Sequence, residues 1–429
     1  MPDHSLYRQN RDTTMIKDIA RKWLPVVLVL LACADMAQAK TRKTLFVIVD
    51  GIPADCLERL QPPTISEIAK KGRYARAYAG GETGTYSETP TISAIGYANI
   101  LTGTWMNKHN VRGNENIEEN YNYPTIFQLA KMQQREVKTA IYSSWTDNRT
   151  VLLGEGKAET GHLRIDHVYD GYDLDKQRFP DKEGDLHIQE IDAQVCKDAA
   201  RCIAQEAPDL NWIYLWYTDD AFHFYGNGQR SDKSVMRADR DLGQVWEAVK
   251  QREQRNGEEW LVIVTTDHGR TDCGHDHGGQ SERERTVWMA TNQKKLNSRF
   301  GSTSLSQVDI VPTICRFMGF DIPQDNAFEL DGQTFYGNCD IYGLQARQHD
   351  DSVVLTWKCD NRKAKATVYA TGTNNRKQGQ PDKWLEMGTT ETGNGGFCVK
   401  MDDVDKESRF FKFVVKTDNG TLNKWVYKR

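Results

Sequence analysis

The chain has no excess of basic residues, no internal repeat and no long low-complexity run. Its 429 residues carry a net charge of −4 with 27% charged side chains, so the electrostatic footprint of a nucleic-acid binder is missing and duplex nucleic acid is not an expected partner. Beyond residue 39 no apolar run is long enough to cross a bilayer. What remains is an ordinary water-soluble composition in a chain longer than one hydrophobic core usually serves.

The first 39 residues read as an export signal. Lys17, Arg21 and Lys22 form a positive region, residues 24–32 form an apolar core too short to span a membrane, and Ala37-Gln38-Ala39 is a small-x-small cleavage site before Lys40. Met15 is the more ordinary start for such a signal. Leu31-Ala32-Cys33 also admits a lipoprotein reading in which Cys33 carries a lipid anchor. The expected location is the periplasm or the exterior, with an outer-membrane lipoprotein as the variant. Nine cysteines are present and eight remain without Cys33, an even number in a disulfide-permissive compartment. Local spacing favours the pairs Cys196 with Cys202 and Cys359 with Cys398, and Cys273 is read as structural.

From residue 44 to about 340, apolar runs alternate with helical patterns, which predicts an α/β domain. Strands are expected at 45–49, 137–142, 211–217 and 260–266, and helices at 64–71, 125–134, 234–252 and 308–319. Beyond about residue 345 the texture changes to β-rich runs separated by turn residues, which fits a small sandwich of about 80 residues, similar to a fibronectin-type module. The division expected is a signal at 1–39, an α/β catalytic domain at 40–343 and an all-β domain at 344–429.

Three of the strands stop on carboxylates. Leu45-Phe46-Val47-Ile48-Val49 runs into Asp50-Gly51, residues 211–217 run into Thr218-Asp219-Asp220 with His223 beyond, and residues 260–266 run into Asp267-His268-Gly269, with His277-Gly278-Gly279 downstream. One such Asp is normally a turn or capping residue. Three together, with three histidines, are a ligand set for two divalent metals at the carboxyl edge of a sheet, where open α/β folds bind ligands. Two dications outweigh three carboxylates, which favours an anionic substrate and ionisation of a nearby hydroxyl. Ser93 sits where a turn passes into a helix, so its hydroxyl would meet the positive end of the helix dipole; Thr91 and Thr89 compete for the role.

The ordered set Val49-Asp50-Gly51, Ser93 through Leu101-Thr102-Gly103, Asp219-x-x-x-His223, Asp267-His268-Gly269 and His277-Gly278-Gly279 resembles the alkaline phosphatase superfamily, above all its nucleotide pyrophosphatase/phosphodiesterase branch, over roughly residues 44–340. The resemblance implies a mostly parallel central sheet with helices on both faces. It implies two zinc ions, other divalent metals being admissible, one held by Asp219, His223 and His277 and the other by Asp50, Asp267, His268 and the Ser93 oxygen. It also implies a phosphoryl-Ser93 intermediate cleared by water, with Asn114 on a phosphoryl oxygen. The expected activity is hydrolysis of phosphodiester or pyrophosphate bonds in a small phosphate ester or nucleotide. Phosphomonoester hydrolysis is the alternative and a non-catalytic binding protein the third reading.

The branch usually has Thr as nucleophile followed by an aromatic, Pro, Asn and His. Here Ser93-Ala94-Ile95-Gly96-Tyr97 stands instead, closer to alkaline phosphatases proper, although no third metal site is evident. A sulfatase is disfavoured because the Cys/Ser-x-Pro-x-Arg setting is missing. A phosphoglycerate mutase is disfavoured by the export signal and by the short span between Ser93 and Asp219. Phe222, Phe224, Tyr225 and Trp145 are candidates for packing a leaving group, and Arg149 or Arg270 for contacting a phosphate.

Overall fold

The computed structural model describes residues 40–302 and 305–428. The segment read as an export signal, with Cys33, lies outside the described residues. Among the described residues no helix is long and apolar enough to cross a membrane.

Seven strands build the central sheet: β1 (Arg42–Val49), β2 (Arg73–Tyr78), β3 (Thr139–Ser143), β4 (His167–Tyr169), β5 (Leu210–Leu215), β6 (Glu259–Thr265) and β7 (Thr286–Thr291), in the order β2-β7-β6-β1-β5-β3-β4. From β6 to β4 all neighbours are parallel, while β7 runs antiparallel to β6 and to β2. β1 lies at the centre between β5 and β6, with Phe46 opposite Trp212 and Ile263. Its continuous apolar run reflects burial on both faces, as in other parallel sheets. Phe46 and Ile48 point to one side and Leu45, Val47 and Val49 to the other, as the two-residue period of a strand requires.

Helices cover each face. On the Leu45 side lie α1 (Pro63–Lys71), α3 (Leu186–Gln205) and α5 (Gln229–Asn256); on the Phe46 side lie α2 (Ser93–Thr102) and α6 (Ile310–Met318). A further helix, α4 (Tyr217–Tyr225), follows β5 at the carboxyl edge. The α/β architecture with a mostly parallel sheet matches the expectation from the sequence.

The strand expected at 211–217 ends two residues early, so Asp219 belongs to the first turn of α4. The cause is tertiary. Asp192 on α3 accepts the backbone N–H groups of Trp216 at 3.0 Å and Tyr217 at 2.9 Å, capping a helix whose own aromatic start reads locally as strand. Burial pushes the Asp192 carboxyl up to about 6, against these hydrogen bonds.

The remaining strands are β8 (Ile341–His349), β9 (Ser352–Cys359), β10 (Lys365–Thr371), β11 (Leu385–Glu391), β12 (Gly396–Lys400), β13 (Phe410–Thr417) and β14 (Gly420–Tyr427). They form two antiparallel sheets, β11-β10-β13-β14 and β12-β9-β8, around a core that includes Ile341, Leu355, Val368, Phe411 and Phe413. The described residues from Arg42 onward form one compact unit. Two buried lysines stitch the antiparallel layers to the α/β part. Lys108 donates to the Glu329 carbonyl and to Asp331, both at 2.7 Å, and to Asn423 of β14 at 3.2 Å. Lys412 of β13 reaches Asp382 at 2.5 Å and also Glu329.

The two expected disulfides do not form: the eight cysteines from Cys56 to Cys398 are all free thiols. Cys196 and Cys202 sit six residues apart on α3, which separates them by about 9 Å along the helix and puts them on different faces. In the β9–β12 ladder Cys398 faces Val354, about five residues or some 16 Å from Cys359. Sequence proximity misled in both cases because regular secondary structure holds neighbours apart.

Candidate active site

The carboxyl ends of β1, β5 and β6 converge on one spot. Asp50 follows β1, Asp267 and His268 follow β6, and α4 places Asp219 and His223 one helical turn apart on the same side. His277 comes from the loop after β6. Gly51, with φ of +64°, turns the chain at the end of β1, and a Cβ there would strike Arg270 and Asp219.

Two groups of ligand atoms result. Asp50, Asp267 and His268 bring one donor atom each to within 4.8 Å of one another, and so do Asp219, His268 and His277. His268 belongs to both groups: its Nε2 is 3.2 Å from Asp267, 3.4 Å from Asp50 and 3.8 Å from Asp219. His223 completes the second group, with Nε2 3.2 Å from Asp219 Oδ2 and 3.1 Å from His277 Nε2. The site therefore holds all six ligand candidates.

The groups around the ligands orient them. The Nδ1 of His277 lies 2.8 Å from the Thr91 carbonyl and that of His268 lies 2.9 Å from the Gly269 carbonyl. An Nδ1–H held in this way leaves the Nε2 lone pair free for the centre. Burial lowers the proton affinity of both rings, which keeps them in the neutral, ligating form. Asp219 is held by Arg270, which is fully buried and also donates to the carbonyls of Gly51 at 3.1 Å and His275 at 3.0 Å. Burial works against charge on Asp219, yet Arg270 keeps its carboxyl well below the usual range.

The opposite holds for the other two acids. Burial, then repulsion from Asp267 and Asp219, pushes the Asp50 carboxyl well above its ordinary range, and burial pushes that of Asp267 up to about 7. Asp50 Oδ1 and Asp267 Oδ2 are buried without any hydrogen-bond partner. Orphaned carboxylate oxygens, crowded acids that resist ionisation and neutral imidazoles form a donor set that a divalent cation satisfies, and the residues present fit one.

Ser93 is the first residue of α2, and its Oγ lies 3.2 Å from His268 Nε2. The Ala94 N–H donates to Asn114 Oδ1 at 3.0 Å, so the carbonyl end of the Asn114 amide is the one engaged by the start of α2. Thr91 and Thr89 are engaged elsewhere, donating to the carbonyls of Gly279 at 2.9 Å and Ser87 at 2.8 Å. Gly96 lets α2 press against the end of β6, since a Cβ there would come within 2.9 Å of Asp267.

Neighbouring residues have other roles. Arg149 pairs with Asp170 and Glu155, and Arg270 is an internal clamp, so neither is a free phosphate contact. His275 is turned to the His223 carbonyl at 2.9 Å, and the exposed Cys273 lies beside Thr271. Phe222 is buried, Phe224 is exposed, and Trp145 packs its ring against Tyr97 with centroids 6.1 Å apart. Three residues around the ligands went unread. Tyr97 and Tyr214 both direct their hydroxyls at Asp50 Oδ2, and Asp192 caps the ligand helix. Of these only Tyr97 had a local signal, lying one helical turn beyond Ser93.

The family model of type I phosphodiesterase / nucleotide pyrophosphatase matches residues 44–298, more than half of the chain. The chain belongs to this family. Membership places it in the alkaline phosphatase superfamily of phosphoric ester hydrolases and transferases. Among curated proteins it is similar to GPI ethanolamine phosphate transferase 3 of Schizosaccharomyces pombe, at 28% identity over 207 residues, covering 47% of this chain and 21% of that protein. It is also similar to GPI ethanolamine phosphate transferase 2 of the same yeast, at 26% identity over 123 residues, covering 25% and 16% respectively. The chain thus spans about a fifth of the length of these relatives. Among solved structures, Ps i-CgsB in complex with k-i-k-neocarrahexaose aligns with a TM-score of 0.50 at 15% identity, covering 86% of this chain and 88% of that one, a likeness of fold.

Proposed function

We propose that the protein is an exported hydrolase of phosphodiester or pyrophosphate bonds, acting through a phosphoryl-Ser93 intermediate. The observation that carries this reading is the position of Ser93 Oγ, at the start of a helix and 3.2 Å from the imidazole shared by both ligand groups. Asp50, Asp267 and His268 would hold one zinc ion and Asp219, His223 and His277 the other. When bound, the ions supply positive charge for an ionised Ser93 oxygen and for the charge developing on the phosphoryl group.

The chain's own residues do the rest. Ser93 Oγ forms the bond to phosphorus while the ester oxygen leaves with its electron pair, and water then attacks phosphorus and releases Ser93. The first turn of α2 presents its positive end to the phosphoryl oxygens. Asn114, its carbonyl oxygen already occupied, offers N–H to one of them. Arg270 keeps Asp219 anionic and in place.

A substrate panel of nucleotide diesters, dinucleotides, lipid head-group diesters and monoesters tests the reading on zinc-loaded protein. Turnover of a diester that is lost with a chelator and in Ser93→Ala supports it. Turnover that survives both changes points to an adventitious enzyme and a mere binding protein. A much faster monoester reaction would favour the phosphomonoesterase alternative. A second reading comes from the two transferase relatives. If an added alcohol such as an aminoalcohol or a glycan competes with water for the phosphoryl-Ser93 ester, the protein is a transferase.

A further inference from the structure

The two oxygens of Asp50 have unlike surroundings. Oδ2 accepts the hydroxyl of Tyr214 at 2.7 Å and that of Tyr97, and the two phenols are themselves 2.7 Å apart. Oδ1 is buried and has no hydrogen-bond partner, with His268 Nε2 3.4 Å away. Both tyrosines and Asp50 are at most 2% exposed, so water cannot replace either hydroxyl. The tyrosines come from different elements, Tyr214 from β5 and Tyr97 from α2, with rings 4.8 Å apart. Two phenolic protons serve three oxygen–oxygen edges, and the carboxylate is the strongest acceptor among them. Asp50 is thereby committed through Oδ2 before any ligand arrives.

From this we infer that the Tyr97–Tyr214 pair sets the coordination number of the buried ion site and so its choice of metal. This rests on the metal-centre reading above. With Oδ2 held, Asp50 offers one oxygen. Together with Asp267 Oδ2 and His268 Nε2 it makes a three-donor site, with Ser93 Oγ 3.2 Å from His268 Nε2. Three compact donors and one open position suit a four-coordinate ion such as zinc or cobalt. Ions that require six to eight oxygens, such as calcium, gain from a carboxylate that binds through both oxygens, which the tyrosines prevent. The pair has a second effect. Tyr97 lies one turn beyond Ser93 on α2, so its hydroxyl ties the nucleophile's helix to a ligand of the same ion. These are positioning residues and touch no substrate.

Cobalt substitution of the full chain tests this. Four-coordinate cobalt absorbs visible light much more strongly than five- or six-coordinate cobalt, so the spectrum reads coordination number without reference to activity. Native protein is expected to bind two cobalt ions with strong absorption. In Tyr97→Phe/Tyr214→Phe the intensity from one of the two ions should fall, zinc affinity at that site should weaken by roughly tenfold or more, and manganese or calcium should compete better than in the native protein. Each single variant should lie between. Tyr142→Phe is the control: its buried hydroxyl bonds Asn211 at 3.2 Å, away from Asp50, and its removal should leave the spectrum unchanged. A double variant with the native spectrum, affinity and competition profile overturns the inference. An equal change in Tyr142→Phe also overturns it, because general loosening would then be the cause. Native protein that takes up no cobalt overturns the metal-centre reading itself, a result distinguishable from the other two.

Discussion

The two halves of the candidate centre share a histidine but differ in their access to water. Asp50, Asp267 and His268 have side chains at most 1% exposed, whereas His223 is 40% exposed and Asp219 and His277 are each 9% exposed. The buried half comes from residues directly following strands, where the backbone has no freedom left. The open half comes from a short capped helix and a loop. An ion in the first would be enclosed by the sheet edge, α2 and the tyrosine pair, and one in the second would meet solvent and substrate. The difference suggests a division of labour in which the buried half prepares Ser93 and the open half receives the phosphate ester.

The largest effect should follow from Asp267→Asn. It removes a carboxylate from the enclosed half, and turnover of the best diester should fall by about a thousandfold or more without recovery in excess zinc. His223→Ala should weaken one ion by about ten- to a hundredfold, with turnover restored by added zinc. Metal analysis alongside kinetics distinguishes the two, and a His223→Ala enzyme as irrecoverable as Asp267→Asn would end the distinction between the halves. Stepwise chelation is the third measurement. One ion should leave at least about tenfold faster than the other, and the early loss should be slowed by a bound phosphate analogue that covers the open side. Release of both ions in a single phase would contradict the comparison.

The smallest effect concerns acid, and it must be subtracted before either half is held responsible for acid sensitivity. His109 is buried outside the centre, with Nε2 2.8 Å from Asn99 and Nδ1 accepting the Val111 N–H at 3.1 Å. Burial lowers its pKa from 6.5 to about 3. The folded chain thus binds this proton less readily than the unfolded chain does. The contribution of His109 is complete above pH 6.5 and is lost as pH falls toward 3, at up to about 1.4 kcal/mol per pH unit. Denaturant melts of native protein and His109→Gln should therefore converge on acidification, and a constant difference between them would refute the assignment.

What could be read from the sequence follows the range of the forces involved. Asp50 and Asp267-His268 were visible because a buried strand declares itself in a few consecutive apolar residues and its end is where the polar residues begin. The β-rich texture of the last fifth announced a small all-β sandwich for the same local reason. Asp219 was found in the wrong element, since the cap that starts α4 belongs to Asp192 on another helix. Arg270 read as a candidate phosphate contact because nothing nearby in sequence reveals that Gly51 and Asp219 surround it. Tyr214 sits in a run of aromatics where packing is the natural assumption, and only the folded chain brings its hydroxyl to Asp50. The cysteine pairs failed from the opposite error, in which nearness along the chain was taken for nearness in space.

The seam of buried charge around Lys108 and Lys412 bears on modularity. By texture the chain changes character near residue 345, and a protein engineer would cut there. Such a cut removes Lys412 and Asn423 while leaving Glu329, Asp331 and Lys108 facing a void. Lys108 follows α2 by only a few residues, so the disturbance would begin next to the helix that carries Ser93. The β-rich tail is thus less a passenger than a keystone: an evolutionary exchange of this part would have to carry its lysine along or redesign the acidic socket that receives it.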